Sequence, residues 1–244
     1  MPTKITLIVP TLNEIEGMKD IMPRVRREWF DQILIIDGRS TDGTVEYARE
    51  RGYQVFVQEN VGIRSGYVEA MPLIEGDIIV TFSPDGNSIP EILPDLIKKI
   101  REGYDMVIVS RYLGDAKSED DDIVTSFGNW FFTKTVNLLF GSSYTDTMVI
   151  YRAYRKALIE DLHLDRPENY RYAERLFLLP QGGLSWEPLL SVRAAMRKLR
   201  VTEIPGDEPA RIGGERKLRV VRWGGAIYVQ FLWEFVASRL GARR

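Results

Sequence analysis

The chain contains no cysteine and a single histidine, His163, among its 244 residues. The absence of cysteine excludes disulfides, thiolate metal sites and a cysteine nucleophile, and one histidine excludes a polyhistidine metal centre. A Ser-His-Asp triad would have to rest on His163 alone, which weakens any such proposal. We therefore interpret His163 as an ordinary surface or packing residue.

The chain also lacks an excess of positive charge. Its 33 Lys and Arg residues against 35 Asp and Glu residues give a formal net charge of -2, so no overall basic field draws in nucleic acid, which is not an expected partner. The first residues enter a strand-like segment without the apolar stretch and cleavage site of a signal peptide, which favours a cytoplasmic location. The 44% hydrophobic content is ordinary for a globular protein, and one compact domain is the simplest interpretation.

Short apolar runs of strand length recur along the first half of the chain. They lie at residues 5–9, 32–36, 54–57, 78–82 and 106–109. Continuous rather than alternating apolarity is typical of strands covered on both faces, as in parallel sheets, and most of the intervening segments have helical spacing. The sequence therefore predicts an α/β protein with a Rossmann-like, mostly parallel central sheet flanked by helices.

Two later segments, 127–140 and 223–240, are aromatic-rich and mostly apolar, and each carries a polar stripe at steps of four. The stripes consist of Asn129, Thr133 and Asn137 in the first segment and of Gln230, Glu234 and Ser238 in the second. Both segments are short and interrupted for membrane spans. Two interpretations stay open: packing against the sheet or between copies of the chain, and an amphipathic position at a membrane surface.

Polar side chains follow the strand at 78–82, where Asp85 and Asn87 are separated by Gly86. In open α/β sheets, ligands bind at the carboxyl ends of the strands. Carboxylate and amide oxygens suit a divalent cation such as Mg²⁺ or Mn²⁺, and a cation there would hold a diphosphate. The alternative is that residues 83–87 form a plain β-turn.

The first two predicted strands deliver small polar groups to the same edge of the sheet. Asp37 follows the second strand, and an aspartate in that place can accept hydrogen bonds from a base or a ribose. The first strand ends in Pro10, Thr11, Leu12, Asn13 and Glu14. For each segment taken alone, the alternative to a binding role is a turn that caps the following helix, with Asn13 and Thr41 as candidate caps.

The order of these motifs resembles the inverting family 2 glycosyltransferases of GT-A fold, particularly the dolichyl- and polyprenyl-phosphate sugar synthases. The resemblance runs from Ile5 to about Leu218. Residues 10–14 match the family's nucleotide-pocket motif, and residues 37–44 match its base-and-ribose loop, with Gly38 where the family has a second aspartate. Residues 83–87 match the family's metal motif Asp-x-Asp-x-Gln, with Ser83 in place of the first carboxylate.

The resemblance implies roles for particular residues. Asp85 and Asn87 would hold Mg²⁺ or Mn²⁺, and Asp146 would lie beside the acceptor. Arg211 and Lys217 would neutralise the leaving diphosphate and, with Asp146, take part in catalysis. The residues implied to bind the donor are Pro10, Thr11, Asn13, Glu14, Asp37, Arg64, Asp85, Arg211 and Lys217. Residues 1–218 would form the GT-A catalytic domain, with 219–244 as a C-terminal amphipathic helical extension of the same domain.

The implied reaction is the metal-assisted transfer of a hexose from a GDP- or UDP-sugar to a polyprenyl or dolichyl phosphate, with inversion, by a protein peripheral to the cytoplasmic membrane face. A lipid phosphate is already charged near neutral pH and needs no strong base. One alternative is a transferase of the same fold with a soluble or glycan hydroxyl acceptor, in which Asp146 must take a proton. Another is a non-catalytic nucleotide-sugar binding module, because Ser83 replaces a carboxylate. Self-association stays open.

Overall fold

The structure, a computed structural model, describes residues 3–212 and 220–240. Its strands are β1 (Ile5–Thr11), β2 (Gln32–Asp37), β3 (Gln54–Val57), β4 (Ile78–Thr81), β5 (Met106–Ser110), β6 (Arg152–Arg155) and β7 (Val201–Pro205). Its α-helices are α1 (Ile15–Ile21), α2 (Thr44–Glu50), α3 (Ile63–Ala70), α4 (Leu93–Arg101), α5 (Ile123–Phe140), α6 (Leu158–Asp161), α7 (Glu168–Leu176), α8 (Glu187–Met196) and α9 (Val220–Arg239).

The strands form one sheet in the order β3-β2-β1-β4-β6-β5-β7. All neighbouring pairs are parallel except those made by β6, which runs antiparallel to β4 and to β5. The predicted mostly parallel sheet flanked by helices is therefore confirmed. The short apolar runs become its buried strands, because β1, β4 and β5 have almost no exposed side chains.

The strand register brings several chain segments to one edge of the sheet. Thr11 at the end of β1 pairs with Asp37 at the end of β2, and Ser110 at the end of β5 pairs with Pro205 at the end of β7. Parallel strands place their carboxyl ends together, so the loops that follow them share that edge. Asp85 follows β4 at the same edge.

One side chain, Asp42, caps two helices. One of its carboxylate oxygens accepts from the backbone N–H of Ile15 at 3.0 Å, and the other accepts from that of Thr44 at 3.0 Å. The residues that precede the helices are Glu14 and Gly43, so the expected caps, Asn13 and Thr41, were wrong. For α2 the capping carboxylate lies two residues before the helix, whereas for α1 it comes from a neighbouring loop, which sequence spacing along that helix does not reveal.

The polar stripe of α5 faces the interior of the protein. Asn129 donates to the Tyr112 hydroxyl at 2.8 Å, and the hydroxyls of Thr133 and Thr147 are 3.1 Å apart. Asn137 accepts from the backbone N–H of Tyr144 and donates to its carbonyl, at 2.9 and 2.8 Å. The stripe therefore fastens α5 to the body of the protein.

Helix α9 is arranged in the same way. The fully buried Glu234 forms an ion pair with Arg193 of α8 at 2.8 Å, and Gln230 donates to the carbonyl of Asn169 at 3.2 Å. Aromatic rings join α9 to α5, with the Phe131 and Tyr228 centroids 5.1 Å apart. The polar sides of α5 and α9 therefore pack on neighbouring helices and loops of the protein, and the two interpretations left open for these segments stay predictions.

The opposite sides of both helices are apolar and exposed, and we call them the apolar face. Ile123 and Leu138 are 89% and 84% exposed. The apolar face consists of Ile123, Val124, Phe127, Trp130 and Leu138 on α5, of Val221, Leu232, Trp233 and Val236 on α9, and of Leu240 directly after α9. Within the described ranges, neither helix nor any other is apolar over a length sufficient to cross a membrane.

Candidate functional site

The loop after β2 is held by Asp37. Its carboxylate accepts from the Thr11 hydroxyl at 2.8 Å and from the backbone N–H and hydroxyl of Ser40, at 2.7 and 2.6 Å. Asp37 is fully buried, so its hydrogen bonds are shielded from solvent. The structure thus brings Thr11 and Asp37 together, and their contact with a nucleotide stays a prediction.

Asn13 and Glu14 lie in the loop after β1 and fasten it to the loop after β2. The Asn13 amide oxygen accepts from the backbone N–H of Thr41 at 2.8 Å, and the backbone N–H of Glu14 donates to the Thr44 hydroxyl at 3.0 Å. Pro10, whose register partner is Ile36, lies one residue before the end of β1. The two opening motifs therefore form one surface, with Asn13 exposed on it.

Asp85 lies where the opening turn and the late loop meet. Gly17 of α1 packs so closely on the Pro84–Asp85 backbone that a Cβ atom at position 17 would lie 2.2 Å from the Pro84 carbonyl oxygen. On the other side, the Arg211 guanidinium forms an ion pair with the Asp85 carboxylate at 2.8 Å. Three segments that are distant in the sequence thus converge on one corner of the sheet edge.

The residues predicted to hold a cation offer oxygen ligands in a sparse set. Asp85 is 5% exposed and Asn87 is half-buried two residues further on, joined by a backbone N–H to carboxylate contact of 3.4 Å. In the described part of the chain, no group of three or more acidic or histidine side chains is arranged to hold a metal. Mg²⁺ and Mn²⁺ suit such a set, since they retain waters and substrate phosphates as ligands. The Arg211 guanidinium places a positive charge beside the Asp85 carboxylate.

Arg111, directly after β5, is the centre of a buried ionic cluster that the sequence analysis missed. Its guanidinium lies 2.6 Å from Asp146, 3.2 Å from Glu208 and 3.9 Å from Asp121. The sequence signal that could have identified Arg111 is its position immediately after a buried strand, at the edge where the carboxyl ends of the parallel strands meet. The cluster holds more negative than positive charge, which keeps Arg111 protonated and raises its pKa despite burial.

Asp146 is fully buried beneath Arg111. It also accepts from the backbone N–H groups of Met148 and Val149 at 3.1 and 3.2 Å. Burial acts to raise the pKa of Asp146, but the charge and hydrogen bonds of Arg111 outweigh it, so the pKa is lowered. The position of Asp146 on the acceptor side stays a prediction, and its geometry suits positioning Arg111 better than accepting a proton.

The acidic loop at 114–122, which carries Asp115, Glu119, Asp120, Asp121 and Asp122, is fastened to the segment after β7. The backbones of Glu119 and Glu208 bond at 2.7 Å, and a bridge joins Ser118 to Glu208. Asp121 is withdrawn toward Arg111, with a side chain only 5% exposed, because that guanidinium compensates its burial. Asp120 lies 3.5 Å from Arg211. The loop therefore connects the Arg111 cluster to the ion pair of Arg211 with Asp85.

Arg64 does not contact the described residues around Asp85 or Arg111. Its guanidinium is buried, pairs with Glu174 at 2.9 Å, donates to the Leu184 carbonyl and stacks on Tyr170 at 3.6 Å. The structure does not bring it to Asp85, and a donor-binding role for Arg64 stays a prediction. Lys217 lies outside the described residues.

A shallow groove of about 540 Å³ lies between the acidic loop and the apolar face. Asp121 on one side of it belongs to the Arg111 cluster, whereas Phe127 and Trp130 on the other belong to the apolar face. The groove is lined by Asp121, Asp122, Ile123, Ser126, Phe127 and Trp130. The charged site and the exposed apolar surface are thus continuous.

Relatives of known name share most of the chain. It is 28% identical to an undecaprenyl-phosphate mannosyltransferase of Micrococcus luteus, over 98% of this chain and 99% of that protein. It is 29% identical to a dolichyl-phosphate hexose transferase of Haloferax volcanii, over 91% and 90% of the two chains.

A solved structure confirms the GT-A fold. Glucosyl-3-phosphoglycerate synthase from Mycobacterium tuberculosis, in complex with Mn²⁺, UDP and phosphoglyceric acid, superposes with a TM-score of 0.69 at 18% identity, covering 96% of this chain and 79% of that one. The model of the family described as Glycosyl transferase family 2 matches residues 6–162. The chain is a glycosyltransferase and belongs to family 2.

Proposed function

We propose that the protein transfers a hexose from a GDP- or UDP-sugar to a polyprenyl phosphate at a membrane surface. The observation that carries this proposal is the arrangement of α5 and α9, whose polar stripes face inward while the residues of the apolar face are exposed. A water-facing helix has the opposite orientation, so an apolar environment beside the site accounts for the pattern. The names of the two relatives, which both act on polyprenyl phosphates, support the same acceptor class.

The state of Asp146 favours a phosphate acceptor over a hydroxyl. A hydroxyl acceptor must lose its proton, and Asp146 was the base expected to take it. With a lowered pKa and both oxygens bound to Arg111, Asp146 is a weak base. A lipid phosphate needs no such base, because it carries negative charge at neutral pH.

The donor would lie along the sheet edge, from the Thr11 and Asp37 loops to the corner at Asp85. Asp85 and Asn87 would hold Mg²⁺ or Mn²⁺, which neutralises the diphosphate when bound. Arg211 lies beside Asp85, where its guanidinium can donate two parallel hydrogen bonds to the leaving diphosphate. The tight packing of α1 and of residues 211–212 around Asp85 leaves this residue 5% exposed, which limits the access of water to its carboxylate.

A transfer assay with two acceptors tests the proposal. Radiolabelled UDP-glucose and GDP-mannose are each incubated with the protein, Mn²⁺ and either undecaprenyl phosphate in detergent or 3-phosphoglycerate. Label that partitions into butanol with the lipid supports the proposal, whereas transfer to 3-phosphoglycerate alone would establish the soluble-acceptor alternative. Binding of both donors without transfer to either acceptor would favour the non-catalytic module.

A surface variant makes the assay specific for the apolar face. Phe127→Glu combined with Trp130→Glu places charge on exposed positions that line the groove. We expect transfer to the lipid to fall at least tenfold, because the two introduced carboxylates would lose their hydration where the apolar face meets the membrane. The thermal shift caused by the donor should be retained. Asp115→Asn, on an exposed position of the acidic loop, serves as the control.

A further inference from the structure

Residues 211–212 lie directly on the corner that is proposed to hold the cation. The Arg211 guanidinium pairs with the Asp85 carboxylate at 2.8 Å, and the Ile212 backbone N–H donates to the Asp85 carbonyl at 2.7 Å. Gly86, with φ of +93°, is so close to Ile212 that a Cβ atom would lie 2.5 Å from its side chain. An ion pair, a backbone hydrogen bond and van der Waals contact therefore hold this segment in place.

The same guanidinium also reaches the acidic loop, where it lies 3.5 Å from the Asp120 carboxylate. Arg211 thus bridges two carboxylates that come from opposite sides of the corner. Its side chain is only 20% exposed, so solvent screens these attractions less than at an open surface. A divalent cation that approaches Asp85 must compete with this tethered charge.

The bridging arrangement leaves one strong donor unused. The Nε atom of Arg211 is buried and has no hydrogen-bond partner among the described residues. A buried N–H group without an acceptor is unfavourable, so Arg211 gains if an anion with several oxygens replaces the carboxylates. A diphosphate provides such oxygens and matches the guanidinium fork.

We propose that Arg211 is a latch that closes the cation site until the nucleoside diphosphate arrives. Without the donor, the guanidinium neutralises Asp85 and opposes metal binding. With the donor, the diphosphate takes the guanidinium and leaves the Asp85 carboxylate to the metal. This inference rests on the proposed use of a nucleoside diphosphate sugar and a divalent cation, and it makes binding of the two mutually dependent.

The test measures Mn²⁺ binding directly, by the electron paramagnetic resonance signal of free Mn²⁺, with no sugar acceptor present. Without nucleotide, Arg211→Gln is expected to bind Mn²⁺ about tenfold more tightly than the wild type, because the competing charge is removed. With UDP or GDP present, the wild type gains Mn²⁺ affinity, and the gain is expected to be at least fivefold smaller in Arg211→Gln, within the usual range of about 5 to 150 for coupled sites.

Three further variants make the result specific. Arg24→Gln breaks the exposed ion pair with Glu91 and is expected to leave Mn²⁺ binding unchanged. Asp85→Asn combined with Arg211→Gln must lose the gained affinity if the gain arises at this corner. Arg211→Lys retains a cation on a flexible stem and is expected to bind Mn²⁺ as weakly as the wild type without nucleotide, and it replaces Arg211→Gln if that variant fails to fold.

Each outcome decides the matter. Nucleotide-free Mn²⁺ affinity that is unchanged or lower in Arg211→Gln overturns the latch, as does a gain that survives the loss of the Asp85 charge. If Arg211→Gln does not fold, tighter nucleotide-free binding by Arg211→Lys than by the wild type overturns it. Because lipid is absent from the titration, failure of transfer to polyprenyl phosphate would refute the proposed acceptor and leave this result standing.

Discussion

Arg111 holds Asp146 with two of its nitrogens, Nε to Oδ2 at 2.6 Å and Nη2 to Oδ1 at 3.0 Å. The pair joins the end of β5 to the segment that precedes β6, so it fixes the sheet edge from within. A third contact, from Arg111 to Glu208 at 3.2 Å, ties the segment after β7 to the same point. This part of the sheet edge is therefore built around a charge pair that solvent barely reaches.

Removing one member of this pair should destabilise the fold. We expect Asp146→Ala to lower the free energy of unfolding by about 3 kcal/mol, because a buried arginine loses its best partner. Urea denaturation checks this. The matched control, Glu91→Ala, breaks the exposed pair with Arg24 and should change stability by less than about 1 kcal/mol. Equal effects of the two substitutions would contradict the assignment of Asp146 to a structural ion pair.

The lowered pKa of Asp146 predicts how stability depends on acid. In the unfolded chain an aspartate titrates near about 3.9. Because the folded pKa is lower, the stabilisation by Asp146 is complete above the unfolded value and is lost as pH falls through the folded value. The stability difference between the wild type and Asp146→Asn should therefore be constant near neutrality and shrink below a pH of about 4. Urea titrations at several pH values measure it, and a difference independent of pH would refute the prediction.

Sequence reasoning predicted the sheet and the edge that its loops share, because both depend on local signals. Continuous apolar runs specify the buried strands, and the loops that follow them necessarily share an edge. Strand β6 gave no such signal, since its four residues, Arg-Ala-Tyr-Arg, include a buried Arg152 that is stabilised by the Val149 and Glu187 carbonyls. Glu187 is distant in the sequence, and a charged residue in a strand cannot be recognised as internal until such a partner is known.

The sequence also could not predict which side of each amphipathic helix faces the interior of the protein. The stripe through Asn137 and the stripe through Glu234 are equally consistent with water or with a polar interior, since periodicity finds a face and not its partner. Only the acceptors and donors at Tyr144 and Arg193 decide the question. The same holds for Asp146, whose proximity to Arg111 is a tertiary contact over 35 residues of sequence.

Glu187 predicts a pH dependence of the opposite sign. It is buried at the start of α8, and burial raises its pKa even though the positive charge of Arg152 opposes the rise. A raised folded pKa favours the protonated form, so its stabilisation is complete below the unfolded value of about 4.3 and is lost as pH rises through the folded value.

The matching substitution is Glu187→Gln, which resembles the protonated acid. We expect this variant to gain stability relative to the wild type as pH rises from about 4 to about 7, because only the wild type must ionise or retain a proton at increasing cost. Glu16→Gln, on an exposed position of α1, should show no such trend. Thermal unfolding followed across this range measures both, and parallel curves for Glu187→Gln and the wild type would contradict the prediction.

Two adjacent residues of α5 separate the structural side of the helix from the apolar face. Asn137 makes three hydrogen bonds to the segment at 142–144, whereas Leu138 is 84% exposed. Asn137→Ala should lower the free energy of unfolding by about 2 kcal/mol, since buried polar groups lose their partners, and leave vesicle binding intact. Leu138→Glu should change stability by less than about 0.5 kcal/mol.

The readout that distinguishes the two positions is co-sedimentation with phosphatidylglycerol vesicles. Burying a leucine in an apolar phase contributes about 1.5–3 kcal/mol, so Leu138→Glu should weaken vesicle binding about tenfold or more if the apolar face contacts lipid. Asn137→Ala, measured at a temperature where it is folded, serves as the internal control on the same helix. Because the two residues are neighbours, a general loss of α5 would affect both, whereas contact with lipid affects only Leu138. Unchanged vesicle binding by Leu138→Glu, with normal stability, would remove this part of the apolar face from the membrane contact.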